Sequence, residues 1–387
     1  MNTFGASRRR SLALLSTVTA ALGLGAAGSA FAQSQGYQGS PRTFLWNPNF
    51  NEMVDTAKFK KAGPYTIGFA NASQGDLWLV AFTHGVQYAI AQNKGLVKKF
   101  IMTDANGNAS KQISDIQDLV NQKIDLLIVN PAAADPLDPV LQRVMKQGIP
   151  VVTVARRPKS ESSYVSFVTA SDQALARLNA TWLAEKLGGK GNIVLLPGLA
   201  GASPAEMRLR AAKEVFAQYP GLKILDTQYT GWSPANGKTV TAAMIQKFGK
   251  TINGVWSDSG LQGSGAVEAF LAAGVAGKDI PPITGGDLNR MYKLASQHGF
   301  PYVGIDYTPS IGITAVAIAM DVLQGKGVPK TDTVNFQIVM ADGQDTTSVK
   351  GDIKLKDYVR MDAPDDLIMG HGMGPTYNPK TFKVELP

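Results

Sequence analysis

The chain has 387 residues, 44% hydrophobic and 18% charged, with a formal charge of +8 and no cysteine. That is the composition of a soluble globular protein too long for one ordinary core, and it excludes disulfides, thiol catalysis, cysteine metal sites and a cysteine-linked lipid anchor. The basic residues are scattered, with pairs such as Lys60-Lys61 and Lys98-Lys99 as the longest lysine runs, which describes a solvated surface and not a nucleic-acid patch.

The first 32 residues contain no Asp or Glu. Arg8, Arg9 and Arg10 are followed by a small, apolar run from Leu12 to Ala27 and then by Ser29-Ala30-Phe31-Ala32. This is the pattern of a secretory signal cleaved before Gln33. Ser7 to Leu12 is similar to a twin-arginine signal without its Phe and Lys, so general secretion and twin-arginine export both fit. Cleavage removes three arginines and lowers the charge to +5. No later run is long enough to span a membrane.

Residues 33–63 are polar, rich in Gly, Pro and Asn, and read as an extended lead-in. Strand-type apolar runs then recur at Tyr65–Ala70, Lys99–Thr103, Asp125–Asn130, Pro150–Ala155 and Tyr164–Thr169. Helix-period segments lie between them, at Asp76–Asn93, Ser110–Gln122 and around Val140–Met145. A second series has strands at Asn192–Pro197, Leu222–Gln228, Ile252–Ser257, Pro282–Thr284 and Tyr302–Asp306. Its helices fall at Pro204–Gln218, Asn236–Phe248, Gln262–Ala273, Leu288–Gln297 and Ile311–Leu323. The alternation predicts α/β architecture, two doubly wound parallel-sheet lobes. It fades after Asp342, and the turn-rich remainder, including Gly370 to Pro375, reads first as a surface tail, with a segment that wraps a lobe or caps the cleft as the alternative.

Catalytic signals are weak. His84, His298 and His371 are the only histidines, and the first two fall inside or at the end of predicted helices, away from strand ends. There is no phosphate loop, dinucleotide fingerprint or nucleophile elbow. No catalytic residue, metal site or cofactor is assigned. The strand ends, where ligands bind in open α/β sheets, are richer. They hold Asp76, Trp78 and Leu79, then Arg156, Arg208 one turn into a helix, Trp232, Asp258 and Ser259, Asp287, and Asp306. Carboxylates accept from hydroxyls, guanidiniums donate to oxygens, and indoles cover apolar C–H faces, which are the groups a carbohydrate site needs.

At these residues the sequence resembles the ribose-binding family of periplasmic sugar-binding proteins, over roughly residues 64–340. The resemblance is carried by Tyr65 to Phe69 with Gly85-Val86, Asp125 to Pro131, Gly148 to Val154, Gly254-Val255-Trp256 through Gly274, and Thr284 to Asp287. It implies that Asp76 stands at a polar hydrogen-bonding position, with Trp78 and Leu79 where two stacking aromatics lie. Arg156 matches the arginine of an Asp-Arg pair, Arg208 the second-lobe arginine, and Trp232 the aromatic opposite. Ser259 stands for an Asn, Asp287 for an Asp, and Asp306 for a Gln at the last hinge crossing. The chain departs from the family at Ala155, Leu79, Ser259 and Asp306. With Asp76, Asp258, Asp287 and Asp306 the site is expected to be more acidic than usual, offset in part by two arginines. A different sugar, a polyol or a cationic ligand would each fit.

The resemblance further implies a hinge of three crossings, with lobe 1 at 64–171 and 307–335, lobe 2 at 172–306 and 336–345, and a tail at 346–387. It implies an exported monomer in the periplasm that closes on a monosaccharide or polyol and docks on the permease of an ABC transporter, with no nucleic-acid partner. The competing readings are a chemotaxis or signalling receptor on the same fold and an exported carbohydrate-active enzyme using Asp287 and Asp306 as paired carboxylates. A sugar-responsive repressor would need a DNA-binding motif where this chain carries its export signal.

Overall fold

Short, mostly apolar runs such as Leu126–Val129 and Val151–Val154 have the pattern of strands covered on both faces, and every residue in both is buried. The computed structural model describes residues 52–369 and the backbone of 377–378 and 383–384. The expected signal segment, the lead-in before residue 52, and Gly370 to Pro375 lie outside the described residues.

Lobe 1 is built on strands β1 (Tyr65–Asn71), β2 (Val97–Asp104), β3 (Leu126–Val129), β4 (Val151–Val154) and β5 (Ser166–Thr169). Their covering helices are α1 (Leu77–Gln92), α2 (Ala109–Asn121) and α3 (Ala134–Lys146). Lobe 2 carries β6 (Lys190–Leu196), β7 (Gly221–Thr227), β8 (Gly254–Ser257), β9 (Ile283–Thr284) and β10 (Tyr302–Ile305). Between them run α4 (Asp172–Lys186), α5 (Ser203–Phe216), α6 (Pro234–Phe248), α7 (Gly260–Ala272) and α8 (Asn289–His298). Helix α9 (Ile311–Gln324) returns to lobe 1, followed by β11 (Thr331–Thr333). Strands β12 (Ile338–Met340) and β13 (Ile353–Lys354) rejoin lobe 2, and α10 (Leu355–Tyr358) follows.

The lobe 1 sheet has the order β11-β5-β4-β3-β1-β2 and is parallel throughout. The lobe 2 sheet has the order β13-β12-β10-β9-β8-β6-β7, with one antiparallel pair, β10 with β12. The chain passes between the sheets three times, after β5, after β10 and after β11. The crossings are tied together: Val334 N donates to Thr169 O at 2.8 Å and Asp306 N to Gln337 O at 3.1 Å.

Local chemistry sets the element ends. Asp76 caps α1, its Oδ1 accepting from Leu79 N at 2.8 Å. Phe82, Val86 and Ile90 form the buried stripe of that helix. Asn108 and Ser233 cap α2 and α6 in the same way. Gly325, at φ +76°, closes α9 in the left-handed conformation that lacks a Cβ penalty.

Three parts of the chain were not anticipated. Helix α4 follows β5 after two residues and buries most of its circumference, including Leu175, Ala176, Leu178, Trp182 and Leu183, so it has no amphipathic period to read. Strands β11 and β12 are only three residues long each. The third is a correction to the surface-tail expectation and to the end of lobe 2 at 345. Strand β13 extends the lobe 2 sheet, and residues 355–369 lie over that lobe as a strap. Leu355, Ile368 and Met369 join the core of Leu288, Met291, Tyr292 and Phe300. At the other end, Met53–Val54 pairs antiparallel with Val328–Pro329 and Phe59 is buried in the lobe 1 core, so the described part of the lead-in is an arm fixed to lobe 1.

Candidate ligand-binding site

The strand ends of both sheets converge on one cavity with about 440 Å³ of space free of atoms, its mouth included. From lobe 1, the first turn of α1 supplies Asp76, Trp78 and Leu79. Trp78 stacks on Phe82 (5.5 Å between ring centroids, 9° between planes) and donates its indole N–H to Tyr307 O at 2.5 Å. The loop after β4 supplies Ala155 and Arg156. Ala155 is left-handed, at φ +60°, and Arg156 N bonds back to Val154 O at 2.6 Å, a strained tight turn that aims Arg156 into the cleft. The Arg156 side chain is held lightly: Nη1 reaches Pro131 O at 3.5 Å, and Cζ lies 5.7 Å from the Trp232 ring.

Lobe 2 supplies Pro204 and Arg208 from α5, Trp232, Ser259, Leu261 and Asp287. Arg208 is tightly held. Its Nε donates to Asp172 Oδ1 at 2.7 Å, its Nη1 to Asp258 O at 3.3 Å, and its Cζ lies 4.6 Å from the Tyr307 ring. Trp232, at φ +55°, lies over Gly198, where a Cβ would be 2.0 Å from the indole, and donates Nε1–H to Asp258 Oδ1 at 3.1 Å. Ser259 Oγ caps α7 and approaches Asp287 Oδ2 at 3.5 Å. Asp287, at φ +81°, accepts from Tyr307 N through Oδ1 at 2.6 Å and donates its own N–H to Asp306 Oδ1 at 2.9 Å. Ala155, Trp232 and Asp287 are thus three left-handed, non-glycine residues lining one cavity from the two lobes, the kind of clustering found where backbone is shaped for function.

Burial raises the Asp76 carboxyl above its usual range, opposed by the Leu79 amide and by Arg156. Burial lowers the Arg156 guanidinium, opposed by Asp76. Burial likewise raises Asp172 and Asp258, both opposed by Arg208. Arg208 is pulled down by burial, but Asp172 and Asp258 outweigh that and hold it above its ordinary value. Asp287 is pushed up furthest, by burial and then by the charge of Asp306.

Eight of the sequence-derived residues therefore line the cavity: Asp76, Trp78, Leu79, Arg156, Arg208, Trp232, Ser259 and Asp287. Asp258 and Asp306 do not. Asp258 lies beneath, accepting from Gly198 N, Trp232 and Gln262. Asp306 lies beneath Asp287 and accepts from the Tyr292 and Tyr358 hydroxyls. The expectation of an acidic wall is corrected accordingly, because the lining residues carry two carboxylates and two guanidiniums. Tyr307, Ala155, Pro204 and Leu261 line the cavity unanticipated, and Asp172 is the buried partner of Arg208. Tyr307 stands one residue beyond Asp306, where the strand-end rule pointed; Asp172 opens the helix that periodicity missed. His84 and His298 are not among the lining residues. The lobes touch across the cleft, where Arg157 N donates to Ser203 Oγ at 3.0 Å, so the conformation is closed.

The sequence profile of the periplasmic binding protein domain matches residues 67–327, and the chain belongs to that family. A xylitol-binding protein of Mycolicibacterium smegmatis is 33% identical over 51% of this chain and 55% of its own length, so that match spans about half of the relative. A ribose import binding protein of Bacillus subtilis is 29% identical over 69% of this chain and 84% of its own. A solved structure from Mycobacterium smegmatis, in complex with β-D-fucofuranose, superposes with a TM-score of 0.64 at 28% identity, covering 71% of this chain and 90% of that one.

Proposed function

We propose that this protein captures a neutral polyhydroxy solute, a monosaccharide or polyol, by closure of its two lobes and delivers it to the permease of an ABC transporter. The observation that carries this reading is the balanced wall of the cavity: one carboxylate and one guanidinium from each lobe, Asp76 with Arg156 and Asp287 with Arg208, together with two indoles. Each hydroxyl of a polyol both donates and accepts, so adjacent carboxylate and guanidinium groups satisfy it twice. The two lining guanidiniums offset the lining carboxylates and disfavour a cationic ligand. Contacts from both lobes favour the closed form when ligand is present. The relatives named for xylitol and ribose and the fucofuranose complex support the same ligand class.

Export to the periplasm, with cleavage before Gln33, rests on the sequence signal and agrees with the family. A monomer is expected. The protein is read as a binding protein and not an enzyme. The relatives are named for binding, and Asp306 lies beneath Asp287, not across a substrate position from it as paired glycosidase carboxylates must.

The test is a thermal-shift screen of residues 33–387 against neutral sugars, polyols, amino sugars and amino acids. A neutral sugar or polyol at a hundredfold excess over its Kd should stabilise the fold by about 2.7 kcal/mol. A shift with amino acids or cationic sugars alone would overturn the assignment.

A further inference from the structure

The strap that replaced the expected surface tail runs directly behind the cavity wall. Met369 N donates to Asp287 O at 2.5 Å, and Leu288 bridges Ile368 in antiparallel fashion. The Asn289 side chain is gripped by Arg360 O at 2.8 Å, Pro364 O at 3.0 Å and Arg360 N at 3.1 Å. The loop carrying Asp287 is thereby held from outside in a left-handed conformation that a non-glycine residue does not favour. From α10 the strap also sends Tyr358 inward. Its ring meets Tyr292 edge-on at 5.2 Å, and its hydroxyl donates to Asp306 Oδ2. Residues 353–369 lie beyond the part of the chain that the family profile matches.

Asp306 and Asp287 form a buried pair with unequal surroundings. Asp306 receives donors from Tyr292, Tyr358 and the Asp287 amide, a donor set that suits an anion. Asp287 receives the Tyr307 amide on Oδ1, while its Oδ2 has only the distant Ser259 hydroxyl. The charge of Asp306 opposes ionisation of Asp287, so one proton is kept by the pair, and it belongs on the member with fewer donors. We propose that the strap is part of the ligand-binding machinery. In this arrangement Tyr358 is a positioning residue that holds Asp306 as the anion of the pair and leaves Asp287 as the proton-bearing member, donating a hydrogen bond to a ligand oxygen.

Of the other charged groups around the pair, Asp258 favours a protonated Asp287 and Arg208 opposes it. Asp258 adds negative charge and Arg208 positive charge on the lobe 2 side, Tyr292 and Tyr302 are neutral phenols held well above their usual range by burial, and Asp76 and Arg156 oppose each other from lobe 1. On the strap and α8, Arg360 pairs with Asp362 and Lys293 with Asp365, both outside the buried cluster.

The inference rests on the proposed ligand role of the cavity, and its test separates the two. In the ligand-free protein at neutral pH, infrared spectroscopy should show a buried carboxylic-acid C=O stretch that disappears in Asp287→Asn. In Tyr358→Phe the Asp306 anion loses a donor, so the proton should pass from Asp287 toward Asp306 and the acid band should shift in frequency. Affinity for xylitol or D-ribose, whichever the wild type binds, should fall about tenfold at neutral pH because Asp287 no longer donates to the ligand, and its pH profile should change with the band. Absence of the acid band in the wild type, or an unshifted band and pH profile in a folded Tyr358→Phe, overturns the proposal. A strap that only stabilised the fold would lower the melting temperature and leave both profiles in place. If the band behaves as expected while neither xylitol nor D-ribose binds the wild type, the ligand assignment fails and the proton placement stands.

Discussion

The two walls of the cleft bring similar groups and hold them differently. On lobe 2, Arg208 is fixed by Asp172 and the Asp258 carbonyl, Trp232 by Asp258, and Asp287 by Tyr307 and the strap. On lobe 1, Arg156 has one long hydrogen bond and the face of an indole that belongs to the other lobe. The lobe 2 wall is therefore largely built before ligand arrives, whereas the main cation of lobe 1 gains the Trp232 face only when the lobes meet. Recognition divides accordingly: a preorganised surface fixes ligand orientation at low entropic cost, and an under-satisfied guanidinium makes closure depend on what lies between the lobes.

The strongest way to break this contrast is Arg208→Ala. It leaves Asp172 buried without its cation and should cost about 3–5 kcal/mol of stability in denaturant unfolding. Arg156→Ala should do the opposite kind of damage. Stability should change by less than about 1 kcal/mol, while calorimetry should find ligand affinity weakened by about 2–4 kcal/mol, since the donors lost are those the ligand completes. Equal stability losses in the two variants would dissolve the distinction between the walls.

A third test moves away from the cleft. Asp332, on β11 of lobe 1, is buried, its Oδ2 has no hydrogen-bond partner, and burial raises it to about 6. Because this folded-state value lies above the unfolded value of 3.8, its contribution favours the fold fully below about pH 4 and is lost as the pH rises through about 6. Asp332→Asn should therefore add about 1–3 kcal/mol above pH 6 and nothing below pH 4, read from unfolding curves across that window. Gly198→Ala should displace Trp232 and cost about 1–2 kcal/mol, seen as a change in tryptophan emission together with weaker binding. The smallest effect is expected from Trp78→Phe, which removes the bond to Tyr307 O and should lower stability by about 0.5–1.5 kcal/mol.

Much of this was legible because the physics was local. Apolar runs flanked by Gly and Pro placed the strands, and the rule that ligands bind at strand ends brought eight lining residues to one cavity. The rule does not measure depth, so Asp258 and Asp306, which follow strands as directly as Asp287 does, came out as lining residues although they lie one layer below it. Asp172 was missed because α4 is buried nearly all round and its sequence carries no stripe. Tyr358 was missed for a different reason. Its role depends on contacts with Tyr292 and Asp306, more than fifty residues earlier, and no short-range pattern encodes a pairing of that length.

The arm at residues 53–59 belongs to lobe 1 and the strap at 353–369 to lobe 2. The arm and the strap are thus anchored to opposite jaws. Tension applied between tethers at the two termini would act as a lever across the three crossings. It would pry the cleft open before either sheet had to unravel, and in single-molecule extension a bound solute would register as added resistance in that first, reversible step.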